Sequence, residues 1–159
     1  MSYRIPNMEP VIVEHEELKL IGIPCVSLTN IRSKYQNAKE SLLTSTIYFS
    51  QVINREIHYG IWPTVETQKN PERHAYIFCV EVSTFDNIPE WYLKIRLPKQ
   101  KCAVVANAQG DFDAASSLLD KYLEQNKILV SAEGRDYIIC DKYNYEGEGF
   151  SRYSLPIVG

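Results

Sequence analysis

The sequence predicts an α+β fold: a pseudo-twofold duplication of a β-α-β-β unit, a mostly antiparallel sheet with two main helices, and a cleft between the halves. Three observations predict it. Apolar residues recur at helical spacing in only two stretches, the segments between them are β-branched and aromatic, and the order strand, helix, strand, strand runs twice. Such a unit cannot easily bury both its helix face and its sheet face alone, so two copies packing together is the economical arrangement. The 159 residues suffice for one domain spanning 1–159, with repeat halves of about 9–86 and 90–158.

Val11 to Glu14 and Leu18 to Leu28 read as extended segments, and Pro24 marks an edge or bulged strand. From Lys34 to Ile57, Ala38, Leu42, Leu43, Ile47, Phe49, Val52, Ile53 and Ile57 recur at mixed three- and four-residue spacings, which predicts one amphipathic helix. His58 to Pro63 is a short strand closed by proline. The polar stretch Glu66 to Arg73 then leads to the most apolar strand, His74 to Ser83. In the second half, Trp91 to Leu97 and Lys101 to Asn107 read as strands. Phe112, Ala115, Leu118, Leu119, Tyr122 and Leu123 share a helix face that starts at the cap Asp111 and stops near Asn126. Asp136 to Tyr143 and Phe150 to Val158, joined by Gly147-Glu148-Gly149, supply two more strands.

Composition excludes several function classes. Lys+Arg 17 against Asp+Glu 20 gives a formal charge of -3, without the electrostatic footprint of a duplex-binding surface, so no direct nucleic-acid partner is expected. No apolar stretch resembles a signal peptide or a bilayer span, which predicts a cytoplasmic protein with no membrane partner. Cys25, Cys79, Cys102 and Cys140 are far apart and form no metal-ligand pattern; they read as reduced core thiols, with no metal and no cofactor expected. His15, His58 and His74 fall in different elements, and no G-x-S-x-G, H-E-x-x-H or phosphate-cradling loop accompanies them. Asp111 and Asp113 suit a helix start, and Glu146 and Glu148 suit a hairpin turn.

One strand carries a candidate site. Tyr76, Phe78, Val80 and Val82 alternate with Ile77 and Cys79, and Glu81 is the sole carboxylate in that apolar run. A carboxylate facing an apolar interior must be paired, hydrogen-bonded or protonated. Two readings stay open: Glu81 anchors a ligand in an aromatic-walled cavity, or it sits at a strand end in water or against a tyrosine. Trp62 and Trp91 are candidate walls, with Tyr48, Tyr59, Tyr76 and Tyr153 in support; aromatic faces stack on planar ligands and attract cations. The competing reading places each ring in the core, and only convergence on one cavity separates the two.

Several local sequences, taken together in order, resemble the GyrI-like small-molecule-binding domain, the effector-binding domain of AraC-type and MerR-type multidrug regulators. They are Glu9-Pro10-Val11-Ile12-Val13, His58-Tyr59-Gly60-Ile61, Tyr76-Ile77-Phe78-Cys79-Val80-Glu81-Val82, Leu97-Pro98 with Cys102-Ala103-Val104-Val105, and Tyr153-Ser154-Leu155-Pro156-Ile157. The resemblance covers about Glu9 to Val158. It implies a ligand cleft between two β-α-β-β halves, binding of hydrophobic, cationic or planar aromatic compounds, and a glutamate matching Glu81 in or beside the cleft. Regulators of this type carry a helix-turn-helix segment before the effector domain, whereas about eight residues precede the first strand here. The expected role is therefore that of a stand-alone binder in transcription-related sensing or xenobiotic sequestration. Two alternatives accompany it. One is a small hydrolase of reactive cyclopropane-bearing toxins with Glu81 as its acid or base; the other is a protein partner's modulator, such as a gyrase inhibitor. The family's aromatic-Glu-x-Tyr pattern in the later half is replaced by Tyr137-Ile138-Ile139-Cys140-Asp141-Lys142-Tyr143, which weakens the hydrolase alternative.

Overall fold

The structure is a computed structural model that describes residues 7–26, 32–63, 75–107, 112–131, 137–144 and 151–158. Among these, the chain forms β1 (Val11–His15), β2 (Leu18–Val26), α1 (Arg32–Ser45), β3 (Ile57–Pro63), β4 (Ala75–Glu81), β5 (Leu93–Leu97), β6 (Gln100–Asn107), α2 (Phe112–Gln125), β7 (Tyr137–Asn144) and β8 (Ser151–Pro156). The eight strands make one sheet in the order β1-β6-β8-β7-β3-β4-β2-β5, with every ladder antiparallel. This is the expected α+β class. The order reads the same from either end when β1 is exchanged with β5, β2 with β6, β3 with β7 and β4 with β8, which fits a duplication.

Connection lengths force the sheet to curl. In a flat sheet, β1 and β2 would lie six strand spacings apart, about 29 Å. Only Glu16 and Glu17 join them, a reach of roughly 11 Å. The β5–β6 connection through Pro98 and Lys99 imposes the same closure. Ion pairs Lys99–Glu14 (3.0 Å) and Arg96–Glu17 (3.3 Å) cross between these two corners, but both are solvent-exposed and add little stability.

Alternation along the strands then sorts side chains onto two faces. The outer face lies under the helices. Ala38 and Leu42 of α1 pack on Ile21, Cys25, Tyr76, Phe78, Val80 and Val82, while Ala115, Leu119 and Leu123 of α2 pack on Ala103, Val105 and Tyr153. The inner, concave face gathers Leu18, Leu20, Tyr59, Ile61, Cys79, Ile95, Leu97, Cys102 and Val104. Cys25, Cys79 and Cys102 are buried and form no disulfide with one another, and burial pushes the Cys79 thiol well above its ordinary value. The Cys140 side chain lies outside the described residues, as do His74, Asp111, Glu146, Glu148 and the 147–149 turn.

The first helix is shorter than its apolar pattern suggests, ending at Ser45 rather than near Ile57. The Thr46 hydroxyl donates to the Leu42 carbonyl at 2.7 Å, and consecutive turns follow through Phe49 and Val52. Arg55 donates to the carbonyls of Thr46 (2.6 Å) and Phe49 (2.9 Å), giving them partners outside a helix. The β-branched Thr44, Thr46, Ile47, Val52 and Ile53 favour that exit, and Val52 bridges Val82 at the end of β4 instead. The second helix ends as expected, with Lys127 in the left-handed region (φ 53) and the Asn126 side chain donating to Tyr122. Pro24 fits its reading as an edge residue: β5 pairs with β2 only as far as Gly22, so at Pro24 the strand has β4 alone as neighbour.

Candidate ligand cavity

The central ladder positions the site. Tyr59 of β3 pairs with Lys142 of β7, Lys142 pairs with Arg152 of β8, and Ser154 of β8 pairs with Val104 of β6. These registers place Tyr59, Lys142 and Arg152 in one cross-strand row on the concave face, with Ser154 and Val104 in the adjacent row two residues along. The curl brings Val13 and His15 of β1 and Leu18 of β2 over that row, and Cys102 completes the wall. The cavity measures about 200 Å³ and is partly open to solvent.

The wall is divided chemically. Val13, Leu18, Cys102 and Val104 form an apolar side, while Tyr59, Ser154, Lys142 and Arg152 present hydroxyl and cationic groups. Lys142 Nζ stands 5.9 Å from the centre of the Tyr59 ring, within cation–π range. Burial pushes the Lys142 ammonium below its ordinary value; the Arg152 charge acts the same way, and Glu81 opposes them. Burial also pulls Arg152 down. The Tyr59 hydroxyl moves far up, through burial first and the Glu81 charge second, so it stays protonated and remains a donor.

Glu81 lies on the same face, two residues beyond Cys79, and is half-buried. Burial raises its pKa and the Lys142 charge lowers it. Its field reaches Tyr59 and Lys142, yet it is not one of the residues lining the cavity.

The aromatic residues expected to converge with Glu81 are dispersed, because neighbours on a strand face opposite ways. Of the six, Tyr59 alone lines this cavity. Tyr76 is fully buried on the outer face, in edge-to-face contact with Phe78 (5.0 Å) and under α1. Its hydroxyl lies against Gly60, where any Cβ would collide with it, at the point where the β3–β7 register shifts. Trp62 and Tyr153 also lie on the outer face, edge to face at 6.5 Å. Trp91 precedes β5 rather than opening it, is 74% exposed and leans on Tyr92. Tyr48 is 91% exposed in the turns after α1.

The sequence reading missed Lys142, Arg152 and Ser154. Their signal was present: on a strand, Arg152 and Ser154 flank Tyr153 and so share the face that Tyr153 leaves. His58 is buried, with Nε2 3.0 Å from the Arg55 carbonyl, and burial lowers its pKa, consistent with a structural role. Among the described residues no group of three or more His, Cys, Asp or Glu side chains could hold a metal ion, and no helix is long and apolar enough to cross a membrane.

A family profile for integron-associated effector binding proteins, Cass2, matches residues 11–126. The chain belongs to that family. Its fold is that of effector-binding domains. The C-terminal domain of EcmrR superposes with a TM-score of 0.70 at 12% identity, covering 94% of this chain and 97% of that one. SAV2435 bound to tetraphenylphosphonium gives a TM-score of 0.65 at 14% identity, covering 96% and 95%. A hydrolase from Listeria innocua gives 0.57 at 12% identity, covering 96% and 93%. Identities this low establish the shared, GyrI-like fold and nothing finer. No curated protein matches the chain by sequence.

Proposed function

We propose that this Cass2-family chain is a small-molecule-binding protein that takes a compact, largely apolar organic compound into the concave cavity, in sensing or sequestration. One observation carries the reading: apolar walls and oriented polar groups from six strands converge on one cavity of about 200 Å³. A guest there gains roughly 25 cal/mol for each Å² of apolar surface removed from water, while Tyr59 and Ser154 fix its orientation. The two chain halves, about 9–86 and 90–158, each supply part of the wall, the first through Val13, His15, Leu18 and Tyr59. The tetraphenylphosphonium held by SAV2435 supports an organic guest for this fold.

A second reading, a small hydrolase, draws on Glu81, whose raised pKa suits a general acid. It stands behind binding because Glu81 is not a wall of the cavity.

The test is a thermal-shift series with bicyclic aromatic acids, amides and amidines. Neither tryptophan lines the cavity, so melting temperature is a better readout than tryptophan emission. A binder at about a hundred times its Kd stabilises by about 2.7 kcal/mol, a rise of roughly 5 to 10 °C for a chain of this size. Val104→Phe fills the cavity from its apolar side and removes that rise. A rise that survived Val104→Phe would place the guest elsewhere and contradict the reading.

A further inference from the structure

We infer that Lys142 is a nucleophile: its ε-amine captures a small aromatic aldehyde that has entered the cavity and holds it as a reversible imine, with the rings of the guest against Val13, Leu18 and Val104. The inference rests on the binding reading above and adds a covalent step made by one residue of the wall.

Register puts the amine in place. Lys142 of β7 is the direct cross-strand partner of Tyr59 of β3, so both side chains leave the concave face side by side, with Nζ 5.9 Å from the centre of the Tyr59 ring. Lys142 lines the cavity with Val13, Leu18 and Val104 and is half-buried. A lysine in bulk water is protonated at neutral pH and has no lone pair with which to attack. In this wall, burial first and the Arg152 charge second disfavour the ammonium, while Glu81 opposes them. The other described titratable groups of the wall are Tyr59, Cys102 and His15. Lys99 is the contrast within the same chain: it is exposed and 3.0 Å from Glu14, which holds its ammonium above the ordinary value. The lysine that faces an apolar space is thus the one whose neutral amine is favoured.

The groups around the amine suit carbonyl chemistry. The nitrogen lone pair forms a C–N bond to the carbonyl carbon, and the C=O π pair moves to oxygen, which gains a proton as nitrogen loses one. The carbinolamine then expels that oxygen as water while a C=N bond forms, so one amine and one aldehyde give one imine and one water, with no oxidant or reductant. Tyr59, kept protonated by burial and by the Glu81 charge, can donate a hydrogen bond to the carbonyl oxygen, as can Ser154. When the imine is protonated, its positive charge stays beside the Tyr59 ring and within the field of Glu81, the two groups that already favour a cation there. The apolar side of the wall and the volume of about 200 Å³ suit an aldehyde carried on one or two rings.

The experiment treats the whole chain with equimolar 2-naphthaldehyde and sodium cyanoborohydride at neutral pH and locates the reduced adduct by peptide mass spectrometry. A single naphthylmethyl group is expected on Lys142, formed at about ten times the rate at Lys99 or faster, since each pKa unit between two lysines changes the neutral fraction about tenfold. Excess 2-naphthamide, which has the same rings and cannot form an imine, should protect Lys142 and leave Lys99 labelling unchanged. Val104→Phe, which fills the cavity, should do the same. Lys142→Arg should remove the adduct while Lys99 labels as before. Labelling of Lys142 no faster than Lys99 overturns the nucleophile and leaves the binding reading standing. So does labelling of Lys142 that both 2-naphthamide and Val104→Phe leave unchanged, since the amine would then react outside the cavity. A melting temperature that neither 2-naphthamide nor 2-naphthaldehyde raises overturns the binding reading itself.

Discussion

The outer and inner faces of the sheet are made by the same strands, and they are built for different purposes. On the outer face, Tyr76, Phe78 and Val80 of β4 and Val105 of β6 meet α1 and α2 in a dry core. On the inner face, the residues next to these in sequence, Cys79 and Val104, share their surface with Tyr59, and the same face carries Lys142, Arg152 and Ser154. The face under helices can close completely because a helix brings its own apolar stripe. A face closed only by the curl of its own sheet leaves a space at the centre, and that space collects the half-buried charges. Stability should therefore follow the outer face and ligand selection the inner one.

Leu119→Ala is the strongest way to test the outer half of that contrast. Leu119 is fully buried between α2 and the sheet, and its truncation should cost about 2 to 5 kcal/mol of unfolding free energy in denaturant titration. Where the variant still folds, a bicyclic aromatic compound that stabilises the parent chain should stabilise the variant by a similar increment. A smaller loss than Val104→Phe produces would break the comparison, since the concave face would then be the more stabilising of the two. At the other end of the scale, Trp91→Ser should change stability by less than about 0.5 kcal/mol and leave every binding constant as it was, because the ring is mostly in solvent and away from the cavity.

Much of the fold is legible in the sequence. The period-two and helix-period stretches give the elements, and their repeated order is mirrored in the palindromic strand order. The failure at the end of α1 is instructive: Ile47 and Ile53 keep helical spacing yet are exposed, because the chain turns after Ser45 and Arg55 holds the Thr46 and Phe49 carbonyls that a longer helix would have used. The site was less legible. β4 reads as apolar on both sides, so nothing local tells which of Tyr76 and Cys79 faces a helix and which faces a cavity; that depends on where the helices land. Glu81 stood out for being charged in an apolar run, whereas Lys142 and Arg152 lie in strands of mixed polarity and gain their meaning only from cross-strand register. Large aromatic side chains were the poorest guide, since Trp62, Tyr76 and Tyr153 supply outer-face packing.

The most direct measurement of the central claim is a methyl-resolved NMR titration of the whole chain with whichever bicyclic aromatic compound raises the melting temperature most. The account predicts shifts at the methyl groups of Val13, Leu18 and Val104, which line the cavity, with those of Leu42 and Leu119 on the outer face unmoved. Shifts confined to the outer-face methyls, or to exposed side chains such as Ile47 and Leu129, would contradict it.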